Sequence, residues 1–148
     1  MKDRYTIIKE DFNTATGETI VTINTDIGSF TGKVVLDDID AQYPSIYHSH
    51  ELALAKALRK YAKQMVIIIK EKMQSLNAVM AQCLYVAAHS EEIVYGKATY
   101  LIKKELAKLE KDLTMWNNRV NAMSKTIKDR IETRDRLVKT YIQKDKKD

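Results

Sequence analysis

At 148 residues, with a formal charge of +5 and a single cysteine, the chain is long enough for one modest domain and has no disulfide framework. The charge is uneven: residues 1–50 hold four Lys/Arg against eight Asp/Glu, whereas residues 119–148 hold ten against five. The longest strongly apolar run, Met65–Ile69, is far too short to span a bilayer, and Met1-Lys2-Asp3-Arg4-Tyr5 carries no signal-peptide core, so a soluble, cytoplasmic protein without a membrane partner is expected.

The first quarter reads as β. Tyr5–Ile8 is a short strand, and Asn13-Thr14-Ala15-Thr16-Gly17 is turn chemistry. Glu18–Thr25 is rich in β-branched residues, Asp26-Ile27-Gly28 turns, and Ser29–Leu36 returns with Phe30, Gly32, Val34 and Leu36 on one face. A three-stranded meander with one apolar face cannot stand alone in water and must dock on a helix. Asp37-Asp38-Ile39-Asp40 then leads through Tyr43-Pro44-Ser45 to a first long helix, capped by Ser49 and ending near Ala88. Its apolar seam is Leu58, Ala62, Met65, Ile69, Met73, Leu76, Met80, Cys83, Ala87, with a four-residue stutter at Ile69–Met73. Ser90 caps a second helix.

That helix carries the most informative pattern of the chain. In steps of four and three, one stripe reads Ile102, Leu106, Leu109, Leu113, Trp116, Val120, Met123, Ile127, Arg130, Arg134, Leu137, Tyr141. The unbroken spacing marks one face of one long helix, meant to be covered. Two guanidinium groups interrupt it one turn apart, and a buried charge without a partner costs several kcal/mol. The whole therefore reads as an α+β protein: a small N-terminal antiparallel β-meander (residues 1–40) followed by two long antiparallel C-terminal helices (45–88 and 90–144). With one proline, four glycines and no linker, 1–148 reads as a single domain. The apolar flanks of such a hairpin predict a homo-oligomer, a dimer or higher.

A turn between His89 and Ser90 puts Arg130 opposite Ser49, Arg134 opposite Ser45, and Arg59 opposite Val120. Tyr43, Tyr47, His48 and His50 then surround the arginine pair. Aromatic faces, paired guanidinium groups and a helix N-terminus are the parts of a nucleotide-phosphate pocket. Equally, the arginines can reach Asp37, Asp38 or Asp40 and simply tie helix to sheet. Trp116, Asn117 and Asn121, with Arg59 facing them, form a second cluster. Asparagine amides read base edges or ribose hydroxyls, while the plain alternative is a core tryptophan beside a solvated face. His48-x-His50 has no Cys cluster or His/carboxylate motif to complete a metal site. There is no Gly-rich phosphate loop or nucleophile elbow, and Cys83 on an apolar stripe is a core residue. Neither catalysis, a cofactor nor a metal is expected.

The element order and size, with Arg130-x-x-x-Arg134 near the end of the second helix, resemble the Thoeris anti-defence proteins of phages. The resemblance implies an oligomeric, non-catalytic sponge that sequesters cyclic ADP-ribose isomers or cyclic oligonucleotides and so blocks bacterial anti-phage immunity in the infected cell. It implies that Arg130 and Arg134 hold the ligand, with Arg59 as a further arginine and Trp116 and Asn121 as the aromatic and amide. Two other readings compete. The basic tail suits nucleic acid, although it is interleaved with Asp129, Glu132, Asp135 and Asp145 and carries no recognised binding motif. A structural coiled-coil accessory protein explains the heptads but assigns the two arginines no role.

Overall fold

A computed structural model describes residues 4–36, 49–89 and 94–147. Its elements are β1 (Tyr5–Asn13), β2 (Glu18–Thr25), β3 (Gly28–Val35), α1 (Ser49–His89) and α2 (Val94–Lys147). The α+β plan of an antiparallel meander followed by two long helices is therefore the fold of this chain. Two compact units divide it: Met1–Tyr61 with Arg119–Asp148, and Ala62–Asn118.

The sheet has the order β1-β2-β3. β1 extends well past the expected Ile8, pairing with β2 as far as Asn13↔Glu18, and its register shifts between Ile7 and Lys9. The run Lys9-Glu10-Asp11 lacks the apolar/polar alternation of a half-buried strand. On an edge strand, however, charged side chains remain in water on either face and the ladder continues. The two turns follow their chemistry. The Asn13 side chain accepts from the Ala15 N–H at 2.9 Å, and Gly17 closes the first turn at a φ of +70°. Its carbonyl also accepts from the Leu36 N–H at 2.8 Å.

One face of the sheet is buried, with Thr19, Val21 and Ile23 of β2 and Gly32 and Val34 of β3 pointing inward. Small residues on α1, Ala53, Ala55 and Ala57, are buried in the same unit beside Leu52. The approach is closest at Gly32: a Cβ there would lie 1.8 Å from the Ala53 carbonyl oxygen and 2.8 Å from the Ala57 nitrogen. The first turn of α1 is tied to β2 by the Thr19 hydroxyl, which donates to Ser49 Oγ at 2.9 Å. Farther along, Lys60 Nζ donates to the Thr31 carbonyl at 2.7 Å and Lys56 Nζ to the Lys33 carbonyl at 3.4 Å, both on β3. Tyr61 closes this unit's core. Its ring lies 5.6 Å from that of Phe30, and its hydroxyl donates to Asp26 Oδ1 at 2.8 Å.

The helical seams emerge as sequence periodicity requires. On α2, Leu109, Trp116 and Ile127 are buried, Ile102, Leu106, Leu113, Val120, Met123 and Leu137 are half-buried, and Val138, beside the stripe, is buried as well. On α1, Met65, Met73, Leu76, Met80 and Cys83 are half-buried in the same way, and Ala62 and Ile69 are buried. No helix among the described residues is long and apolar enough to cross a membrane.

Candidate anion-binding site

The site is built where the first turn of α1 faces the distal part of α2. Glu51 lies in that first turn, where a carboxylate complements the positive end of the helix dipole. An Oε of Glu51 stands 2.5 Å from the Arg130 guanidinium. Antiparallel pairing had put Arg130 opposite Ser49, so its real partner stands two residues farther along. The connector aspartates Asp37, Asp38 and Asp40 lie outside the described residues, as do Tyr47, Tyr43 and His48. His50, next to Glu51, is exposed.

Arg130 and Glu51 are not desolvated: 41% of the arginine side chain and 57% of the carboxylate side chain remain accessible. This corrects the premise of a several-kcal/mol burial penalty on the seam. The stripe is wet at this level, and an exposed ion pair of this kind contributes about 0–1 kcal/mol. Arg134, one turn on, is only 17% exposed in its side chain and pairs with the neighbouring Asp135 carboxylate at 2.5 Å. Both guanidinium groups thus contact accessible carboxylates, and at the half-exposed Arg130 an incoming anion can replace Glu51 without stranding a charge in the interior.

The remaining expected residues are scattered. Arg59 is half-buried on α1 and Asn121 is exposed on α2, both in the unit that holds Arg130. Arg59 is eight residues from Glu51 and Asn121 nine from Arg130, about 12–14 Å along each helix at roughly 1.5 Å per residue. That is too far for either to share one phosphate group with the arginine pair. Trp116 is 7% exposed and falls in the Ala62–Asn118 unit, which fits the core reading of its ring.

Sequence reasoning missed two groups here. Glu51 was discernible as the acidic residue within one turn of the expected contact. Nothing local marked the Tyr61–Asp26 pair, because it joins residues 35 apart in sequence. Burial, reinforced by the hydrogen bond to Asp26, pushes the Tyr61 hydroxyl up to about 12, although Arg119 and Arg4 pull it the other way. Tyr61 is therefore a neutral donor at physiological pH. Among the described residues, no group of three or more His, Cys, Asp or Glu side chains gathers to hold a metal ion.

Comparison with protein families, with characterised proteins and with solved structures finds no match to this chain.

Proposed function

We propose that the chain is a non-catalytic phage accessory protein, a homo-oligomer in the cytoplasm of the infected bacterial cell. In this reading it sequesters a small phosphate-bearing signalling nucleotide, a cyclic ADP-ribose isomer or a cyclic oligonucleotide, and so blocks anti-phage immunity. The observation that supports this reading is the arginine pair on the seam, one turn apart and each held by a solvent-accessible carboxylate. An anionic ligand displaces Glu51 from Arg130 and accepts N–H bonds from the planar guanidinium in its place, with Arg134 supplying a second fork.

The Arg130–Glu51 contact itself favours a second reading, in which the pair is a structural clamp that fixes the start of α1 against α2. Calorimetric titration with cyclic ADP-ribose isomers, cyclic dinucleotides, inorganic phosphate and duplex DNA separates the two. The sponge reading expects a cyclic nucleotide to bind and Arg130→Ala and Arg134→Ala each to weaken it about 10- to 150-fold, the range for losing a charged hydrogen bond. If no nucleotide binds the wild type while both substitutions lower its thermal midpoint, the arginines are structural. If duplex DNA alone binds, with steep salt dependence, the basic tail serves nucleic acid instead.

A further inference from the structure

The Ala62–Asn118 unit carries a feature that ligand binding leaves unused. A groove of about 610 Å³ runs between its two helix segments. Ile68 and Leu76 of α1 and Leu109 of α2 supply its apolar surface, and the exposed Glu71, Lys72 and Glu105 stand around it. It lies beside the stutter at Ile69–Met73, where a four-residue insertion relaxes the supercoil. At 100° per residue, Val79 falls on the groove side of α1 and Leu101 on the groove side of α2, 48% and 55% exposed. The apolar face therefore continues beyond the groove. A lone pair of helices buries only the stripe between them and leaves such a face to water.

Charge identifies what covers it. Among the described residues, none of Glu71, Lys72 and Glu105 has an ion-pair partner within the chain. Glu71 and Lys72 are adjacent and opposite in sign, so these two positions are self-complementary: a two-fold axis between them sets each against the other's counterpart. The size also fits. The α1 segment from Ala62 to His89 is about 40 Å long, and two helices side by side are about 20 Å wide, a face of roughly 800 Å² per copy. Such an outline has room for the roughly 800 Å² per partner of a standard stable interface.

We propose that this groove seats a second copy of the chain. The two helix pairs close into a four-helix bundle, with Glu71 of each copy meeting Lys72 of the other and Val79 and Leu101 buried alongside. The inference rests on the oligomeric part of the proposed function alone. A ligand that fails to bind at Arg130 leaves it standing.

Sedimentation equilibrium of the full chain tests it, with circular dichroism confirming that helix content is kept. Wild type is expected to self-associate at tens of micromolar. Lys72→Glu sets like charges against each other across the axis and weakens association at least tenfold. The double swap E71K/K72E restores complementarity and brings association back to within a few-fold of wild type. Val79→Asp, at an exposed position, weakens it independently of the charge pair. A monomeric wild type overturns the proposal, as does K72E and V79D associating like wild type. A double swap no better than K72E alone overturns it too.

Discussion

Replacing Gly32 with alanine tests the sheet–helix contact that places Glu51 before Arg130. The added Cβ would stand 1.8 Å from the Ala53 carbonyl oxygen and 2.8 Å from both the Ala53 carbonyl carbon and the Ala57 nitrogen. Ordinary contact begins near 3.4 Å, so the helix must retreat by more than an ångström, and backbone atoms have no rotamer into which to swing. Retreat loosens Val21, Ile23, Val34 and Leu52, all fully or almost fully buried. Overpacking of this kind costs about 1–3 kcal/mol, and the backbone target puts it at the upper end. Alanine recovers roughly 0.5–1 kcal/mol by restricting the unfolded chain, leaving a net loss of about 2 kcal/mol. For a chain of this size that is a fall of about 4–8 °C in thermal midpoint, read by circular dichroism at 222 nm. Gly28→Ala is the control. With a φ of +128° and nothing within 4 Å of its Cβ position, it carries backbone strain but no clash. If G32A melts with the wild type, α1 is not pressed against β3 as described.

Three further outcomes follow from the same contacts. Glu51→Gln is expected to change stability by no more than about 1 kcal/mol, because the ion pair is accessible. If an anion replaces Glu51 at Arg130, the same variant binds a cyclic nucleotide several-fold more tightly than wild type by calorimetry, whereas a pure clamp predicts no gain. The Tyr61 hydroxyl, raised to about 12 in the folded chain against about 10 unfolded, keeps its proton longer when folded. Its contribution, on the order of 2 kcal/mol, is fully present below pH 10 and is lost as pH rises toward 12. Denaturant midpoints taken between pH 9 and 11.5 should therefore fall more steeply for wild type than for Tyr61→Phe.

Much of this architecture is legible in the residues because burial has a period. Every residue of the stripe from Ile102 to Leu137 is buried or half-buried, and Phe30, Gly32, Val34 and Leu36 share a face as alternation requires. What escaped was set by distance in sequence. Alternation places Gly32 inward but cannot say that a helix backbone, rather than a side chain, fills the space above it. Pairing arithmetic locates a partner only to within a helical turn, and Glu51 lies two residues from the expected Ser49. The arginine pair was legible as an anomaly on the seam. The half-exposed state of Arg130 was not, since periodicity reports which face a residue occupies and not how much water reaches it. Trp116 and Asn121 share α2 and lie on either side of the boundary between the two units.

The two lysines that reach β3 set a limit on how copies of this chain can meet. A strand at the margin of a sheet offers open carbonyls and amides as a template for another chain. On one margin, Lys56 and Lys60 occupy the carbonyls of Lys33 and Thr31 with hydrogen bonds from α1. On the other, β1 carries Lys9, Glu10 and Asp11 and an irregular register, which spoil it as a template. Both margins of the three-stranded sheet therefore carry features that obstruct growth by strand addition. Removing Lys56 and Lys60 together would open one margin, and the first sign would be slow thioflavin-positive aggregation rather than a lower melting temperature.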